Sequence, residues 1–172
     1  MTVIVYDGST LAVDRSMIKG DVLHSATKCQ VIGHTVLTGH GMGTQVAALY
    51  HWYKTGAQPD KFPISVRTNP LAELIVVTKD GLLRYEGSPH PIEHGKSKCA
   101  FGEGSPFAYG ALAMGATAKD AVDVAIQFSP YCGGGIDVFS WSDDRLVASL
   151  NNNPSASAVL RGQPTINGEA SG

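Results

Sequence analysis

The chain has 172 residues, of which 43% are hydrophobic and 16% are charged, and its formal net charge is −2. This composition predicts one domain with an apolar core and is typical neither of a disordered chain nor of a basic nucleic-acid binder. The sequence has no run of Lys or Arg suited to a membrane surface. It also has no apolar stretch near the roughly 20 residues that a transmembrane helix needs.

The cysteines, Cys29, Cys99 and Cys132, are far apart and odd in number. They therefore predict neither a disulfide framework nor a zinc ribbon, and we expect no metal and no cofactor. Reduced thiols favour the cytoplasm. The N-terminal segment lacks the basic region and the long apolar stretch of a signal peptide.

The N-terminal half predicts hairpins and one helix. Asp7-Gly8 between two apolar runs predicts a β-hairpin, and residues 30–38, QVIGHTVLT, predict one strand. The glycine-rich residues 39–43 lead into a helix that Gly56 ends. Residues 57–70 hold three prolines and predict a loop or a short helix. Residues 72–87, AELIVVTKDGLLRYEG, predict a second hairpin that turns at Lys79-Asp80-Gly81.

The C-terminal half predicts a polar loop over residues 88–98 and a short strand at CAFGEG. Two helices follow, over residues 105–115 and 118–128, and then two strands, IDVFSW and residues 145–150. We expect a domain over residues 1–150 and a mobile tail over residues 151–172, which is low in large apolar residues. Hairpins dominate and helices occur in blocks, which favours an α+β fold with antiparallel sheets and outer helices.

Thr2 is the first residue that suggests chemistry. Methionine is readily removed before small residues, so Thr2 is expected to become the mature N-terminus. A threonine hydroxyl alone is a poor nucleophile, and a free α-amine with an ordinary pKa of about 8 can act as its base, directly or through one water. Because threonine is common at position two, this residue alone does not identify a nucleophile.

The segment that begins at Thr2 resembles the start of proteasome β subunits and of HslV-type peptidases. The likeness lies in the run TVIV, the Asp7-Gly8 turn and the run LAVDR. In that family the nucleophilic threonine opens a strand, an aspartate ends the partner strand, and a lysine follows near the third strand. Asp14 and Lys28 occupy the matching places in this sequence.

Later segments extend the resemblance over most of residues 2–150. GMGT resembles the family's oxyanion turn, which also opens a helix. FGEGSPFAYG resembles its glycine-serine turn, and YCGGGIDV resembles its tyrosine-serine-glycine-glycine segment. By the order and spacing of these pieces, the chain is similar to the N-terminal-nucleophile threonine hydrolases, as a bacterial or phage homologue of the proteasome.

The resemblance implies a four-layer αββα sandwich with two antiparallel sheets. The short, proline-rich residues 57–70 predict that one outer helical layer is reduced. Relatives assemble into stacked rings of six or seven subunits, so we expect a homo-oligomeric ring, most simply a double ring. Its substrates would be peptides or unfolded polypeptides, and an ATPase unfoldase partner stays open.

The resemblance also implies peptide hydrolysis through an acyl-enzyme on Thr2. Lys28 would hold the hydroxyl in a positive field, and Asp14 would orient Lys28. The backbone N–H groups of Met42 and Gly43 would bind the oxyanion. A structural ion pair and a plain helix-entry turn remain the alternatives for these residues.

Two residues depart from the family pattern. Glu103 stands where the family often has a serine, and Ser129 stands where it often has an aspartate; both family groups help to orient the N-terminal amine. The hairpin between Thr2 and Asp14 is also short for the family. An inactive assembly subunit and a small-molecule amide hydrolase of the same fold therefore remain alternatives to a peptidase.

Other motifs are weaker. The spacing Gly39-x-Gly41-x-Gly43 is not that of a nucleotide-binding loop. His90 lies between two prolines, so no helix presents His90 and His94 together as metal ligands. A solvated loop is the simpler interpretation of that segment.

Overall fold

Two antiparallel sheets form the centre of the protein. The computed structural model describes residues 2–19, 22–142, 145–150 and 157–159. In spatial order, the strands of the first sheet are β10 (Cys99–Phe101), β1 (Ile4–Tyr6), β2 (Thr10–Asp14), β11 (Ile136–Ser142), β12 (Arg145–Ser149) and β13 (Ser157–Val159). Those of the second sheet are β5 (Gln30–Ile32), β6 (Thr35–Gly41), β7 (Ala72–Thr78), β8 (Gly81–Glu86) and β9 (Ile92–Gly95). A separate hairpin joins β3 (Ser16–Lys19) and β4 (Val22–Ser25).

Helices cover the outer face of each sheet. The described helices are α1 (Gly43–Lys54), α2 (Ile64–Thr68), α3 (Ser105–Ala113) and α4 (Ala118–Phe128), with a single 3₁₀ turn at Pro59–Lys61. Helices α3 and α4 pack on the first sheet, and α1 packs on β6 and β7 of the second. None of the helices in the described ranges is long and apolar enough to cross a bilayer.

Within the part of the chain that the structure describes, three apolar clusters lie between four layers. One joins the two sheets through residues such as Ile4 and Ile75, the second joins the first sheet to α3 and α4, and the third joins the second sheet to α1 and α2. The predicted α+β fold with an αββα sandwich is confirmed. The helical layer on the second sheet is reduced as expected, because α2 has only five residues.

Strands β1 and β2 have helices α3 and α4 on one face and the second sheet on the other, and their sequence reflects this position. Residues 3–6 and 11–14 are all buried, so side chains on both faces of these strands are excluded from water. The register places Ile4 opposite Val13, and the next pair along the hairpin is Val3 with Asp14. The short turn at Asp7 therefore determines that the N-terminal residues meet the end of β2.

The structure corrects several predicted elements. The single strand predicted over residues 30–38 is the hairpin β5–β6, which turns at Gly33 with φ of +57°. The predicted polar loop contains β9, and the β3–β4 hairpin was not predicted. The predicted mobile tail lies outside the described residues, except for β13, which pairs with β12.

Asp7 links the β1–β2 turn to α4. One carboxylate oxygen accepts hydrogen bonds from the backbone N–H groups of Ser9 and Thr10, and the other accepts one from the backbone N–H of Ala118, at 2.9 Å. Burial alone would raise the pKa of Asp7, but these hydrogen bonds hold it below its usual value. The charged carboxylate therefore stabilises both the hairpin and the start of the helix.

We expect Asp7→Ala to lower the free energy of unfolding at neutral pH by about 1–3 kcal/mol, because three backbone N–H groups, two of them partly buried, lose their acceptor. A lowered pKa gives stability that is present above the unfolded-state pKa and lost as pH falls through the folded-state pKa. The difference between wild type and variant should therefore shrink below about pH 4. Urea unfolding as a function of pH measures it. The control is Asp60→Ala, at an exposed carboxylate, and equal losses for both variants would contradict this role of Asp7.

Candidate active site

Thr2 lies two residues before the start of β1 and is only 5% exposed. Its backbone carbonyl accepts a hydrogen bond from the Gly104 N–H at 3.3 Å, and its backbone nitrogen donates to Oε2 of Glu103 at 2.9 Å. Its side-chain oxygen Oγ1 accepts a hydrogen bond from Nζ of Lys28 at 3.0 Å. Two parts of the chain that are distant in sequence, at Lys28 and at Glu103–Gly104, thus fix the position of Thr2.

The carboxylate of Asp14 organises the floor of the site. It is fully buried, and Oδ1 accepts hydrogen bonds from the Val3 N–H at 2.9 Å and from Nζ of Lys28 at 2.8 Å. Oδ2 accepts hydrogen bonds from the Ser16 and Gly133 backbone N–H groups, at 3.2 and 3.1 Å. A buried carboxylate with these partners is well compensated and rigidly oriented.

Lys28 connects Asp14 to Thr2. Its ammonium group donates to both residues, and its side chain is 9% exposed, so the charge lies almost entirely inside the protein. Its backbone carbonyl accepts a hydrogen bond of 2.7 Å from the Tyr50 hydroxyl, which ties this segment to α1. The structure therefore brings together Thr2, Asp14 and Lys28, which the sequence analysis selected.

Two glycines allow this close packing around Thr2. Gly102 has φ of +85°, and a Cβ there would lie 2.3 Å from the Thr2 carbonyl oxygen. A Cβ at Gly104 would lie 2.6 Å from Sγ of Cys132 and 2.8 Å from Cβ of Val3. Glu103 stands between these two positions, so its backbone is held directly against the N-terminal segment.

A cavity of about 520 Å³ opens beside the Thr2 side chain. Its described lining includes Thr2, Lys28, His40, Gly41, Val46 and Tyr50. Among the described lining residues none is acidic, and Lys28 and His40 are the groups that can carry positive charge. The cavity could therefore admit an extended chain with an apolar or uncharged side chain next to the Thr2 hydroxyl.

The backbone N–H of Met42 points away from this cavity. It donates a hydrogen bond of 2.8 Å to the Leu71 carbonyl, and Met42 does not line the cavity, whereas Gly41 and Gly43 do. The expectation that the Met42 N–H binds an oxyanion is therefore wrong, because its hydrogen is already used within the second sheet. Gly43 lies at the start of α1, as expected.

Other polar groups near the site have structural partners. Ser129 is buried at the C-terminal end of α4, where its hydroxyl accepts a hydrogen bond of 3.3 Å from the Tyr131 N–H. Cys29 lines the cavity, but burial raises the pKa of its thiol to about 12. It is therefore protonated at neutral pH and a poor nucleophile. Within the described ranges, no group of three His, Cys, Asp or Glu side chains is placed to hold a metal ion.

Comparisons with known proteins identify the fold. No model of a protein family matches the sequence, and no curated protein matches it. Among solved structures, the eukaryotic HslV of Trypanosoma brucei matches with 21% identity and a TM-score of 0.58, over 80% of this chain and 96% of that one.

The bacterial proteasome homologue of Thiobacillus denitrificans, BPH, matches with 17% identity and a TM-score of 0.61, over 83% of this chain and 99% of that one. Its complex with epoxomicin matches with 16% identity and a TM-score of 0.59, over 80% of this chain and 96% of that one. The chain therefore has the fold of HslV and of a bacterial proteasome homologue, as the resemblance implied.

The sequence analysis did not predict that the Glu103 carboxylate accepts a hydrogen bond from the Thr2 nitrogen. It treated Glu103 as a departure from the family pattern, whereas the carboxylate directly contacts the Thr2 nitrogen. The sequence did hold a signal for this contact. Glu103 lies between two glycines, in a segment that the family resemblance places near the N-terminal amine. This signal did not reveal the direction of the side chain, because a single sequence does not show the backbone conformation of this turn, where Gly102 has φ of +85°.

We expect Gly102→Ala to lower the free energy of unfolding by about 2–4 kcal/mol, because the new Cβ meets the Thr2 carbonyl in a strained backbone conformation. The control is Gly110→Ala in α3, where a Cβ meets nothing within 4 Å. That change should be neutral or should stabilise by up to about 1 kcal/mol. Denaturant unfolding of both variants measures the difference, and similar values would contradict the packing of Gly102 against Thr2.

Proposed function

We propose that this chain is an N-terminal threonine peptidase in which removal of Met1 exposes the amine of Thr2 and its hydroxyl acts as the nucleophile. The observation that carries the proposal is that one buried ammonium group, Nζ of Lys28, donates to both Thr2 and Asp14. A lysine that only formed a structural ion pair would have no need to contact the hydroxyl of the second residue.

Lys28 supplies the positive field. Its ammonium lies 3.0 Å from Oγ1 of Thr2, so it stabilises negative charge that develops on this oxygen as the hydroxyl proton leaves. Because the site is largely closed to water, this interaction is stronger than it would be at the surface. Asp14, fixed by three backbone N–H groups, keeps the ammonium oriented toward the hydroxyl.

The Thr2 amine serves as the base. It takes the hydroxyl proton, directly or through one water, while Oγ1 attacks the carbonyl carbon of the scissile peptide bond. The tetrahedral intermediate collapses as the C–N bond breaks, and the leaving amine receives the proton. A water then attacks the ester on Thr2, which releases the acid product and restores the hydroxyl and the free amine.

We propose the backbone N–H groups of Gly41 and Gly43 as oxyanion donors. Both residues line the cavity beside Thr2, whereas the Met42 N–H is directed to Leu71 on the β7 side. Gly41 ends β6 beyond the part that β5 covers, since β5 pairs with β6 only as far as Leu37. The Gly43 N–H lies at the N-terminal end of α1, where the helix dipole favours negative charge.

The proposed assembly is a homo-oligomeric ring of six or seven subunits, most simply a double ring that encloses the sites. Exposed apolar side chains support it, because Phe128 of α4 is 64% exposed and Met114 is 89% exposed. Peptides or unfolded polypeptides would be the substrates, and an ATPase unfoldase is a candidate partner.

Light scattering at micromolar concentration should therefore give the mass of at least six chains. A stable monomer at that concentration would contradict the ring. Replacing Phe128 with Ser should shift the protein toward smaller species, because the change removes apolar area from the face that we expect to be covered. Lys61→Ser, at an exposed site away from α4, is the control and should leave the mass unchanged.

Peptide cleavage by site variants tests the catalytic roles. Thr2→Ala should lose all measurable turnover, because it removes the attacking oxygen. Lys28→Ala should reduce kcat/KM by at least about 100-fold, because the developing charge loses its partner. Lys61→Ala removes an exposed lysine and is the matched control, with an expected rate equal to that of wild type.

Two outcomes would contradict these roles. Turnover by Met1-free, folded Thr2→Ala protein would place the nucleophile elsewhere. Full activity of Lys28→Ala would show that Lys28 has a structural role and does not activate Thr2. A chain that retains Met1 and cleaves no peptide would favour a non-catalytic assembly subunit, whereas cleavage of small amides alone would favour an amide hydrolase.

A further inference from the structure

We propose that the carboxylate of Glu103 forms an ion pair with the free amine of Thr2 and shifts the acid limb of the pH–rate profile toward alkaline pH. Glu103 is then a positioning residue that determines when the amine can accept a proton. The inference rests on the proposed function, since it concerns the amine that acts as base after Met1 is removed.

The geometry already places the two groups in contact. The Thr2 nitrogen donates to Oε2 of Glu103 at 2.9 Å. This nitrogen becomes the terminal amine when the bond to Met1 is hydrolysed, and no movement of Thr2 is required. Its carbonyl is held by Gly104 and its hydroxyl by Lys28, so the new amine remains beside the carboxylate.

The backbone of Glu103 is held close to Thr2, although its side chain is exposed to solvent. Its neighbours Gly102 and Gly104 both pack so closely that a Cβ at either would lie under 3 Å from another atom. A glutamate carboxyl ordinarily titrates about three units below an α-amine, and the hydrogen bond from the Thr2 nitrogen favours its charged form. The carboxylate therefore remains charged in the range in which an α-amine titrates.

Three other ionisable groups lie near the amine, on the elements packed around it. Lys28 lies across the Thr2 side chain and favours the neutral amine, and Asp14 offsets Lys28 through their contact of 2.8 Å. Cys132 lies against Gly104, and burial raises the pKa of its thiol, so it stays uncharged near neutrality. Glu103 is the charged group in direct contact with the Thr2 nitrogen, and its effect should be the largest.

The direction of the effect follows from the charges. An adjacent carboxylate stabilises the protonated amine and raises its pKa, by about one to three units for contacts of this kind. The neutral amine that can take the hydroxyl proton then exists only at higher pH. Activity should therefore fall as pH decreases through this raised pKa, and the fall should occur at lower pH when the carboxylate is removed.

The pH dependence of kcat/KM for Met1-free protein measures this shift. Glu103→Gln keeps the shape of the side chain, Glu103→Ser introduces a small hydroxyl, and both should move the acid limb down by about one unit or more. Glu93→Gln removes an equal charge at an exposed position in β9 and should leave the limb in place. An unchanged limb in folded Glu103→Gln protein would overturn the inference.

A second measurement does not depend on turnover or on the stability of a variant. Competitive acylation of the wild-type α-amine across the same pH range, read by mass spectrometry, gives the pKa of the amine directly. We expect a value above the ordinary range of about 7.7–8.0. A value at or below that range would overturn the role of Glu103, even if the protein cleaves peptides.

The two proposals can therefore fail separately. A raised amine pKa in Met1-free protein without peptide cleavage would support the Glu103 pair and contradict the peptidase. Peptide cleavage with an ordinary amine pKa would support the peptidase and contradict the Glu103 pair. Retention of Met1 would contradict both.

Discussion

The ion pair between Asp14 and Lys28 is the interaction on which the site depends. Asp14 is fully buried and the Lys28 side chain is 9% exposed, so neither charge could remain there without the other. Removing one partner of such a pair typically costs about 3–5 kcal/mol, because the remaining charge is buried without compensation. The pair thus requires the β1–β2 hairpin, the segment before β5 and the glycine-rich turn at Gly133 to meet at one point. Thr2 lies where they meet, with its hydroxyl on the shared ammonium.

Glycine provides the second constraint. The turn that carries Glu103 approaches Thr2 so closely that Gly102 and Gly104 leave no space for side chains. A Cβ at Gly41 would lie 2.1 Å from the Leu71 carbonyl oxygen, which fixes the end of β6 beside β7. Glu103 can therefore lie within hydrogen-bond distance of Thr2, because its two neighbours have no side chains. Thr2 and Asp14 are buried as a result, which strengthens their interactions with Lys28.

The family resemblance predicted the four layers and the cluster of Thr2, Asp14 and Lys28, whereas the apolar runs and the Asp7-Gly8 turn by themselves predicted the β1–β2 hairpin and an α+β fold. The sequence pattern did not predict elements that have no buried face. Strand β4 is exposed throughout, so no alternation of buried and exposed residues marked its hairpin with β3. The Met42 N–H was assigned wrongly because its direction depends on pairing with the segment before β7, which a single sequence does not show. The contact of Glu103 with Thr2 depended in the same way on backbone geometry.

The central claim is that the hydroxyl of Thr2, freed by removal of Met1, is the nucleophile that Lys28 and Asp14 activate. The most direct test is mass spectrometry of the intact protein before and after treatment with an epoxyketone, followed by fragmentation to locate the label. The account predicts a chain that lacks Met1 and carries one adduct, on Thr2. A chain that keeps Met1, or an adduct on another residue such as Cys29, would contradict it.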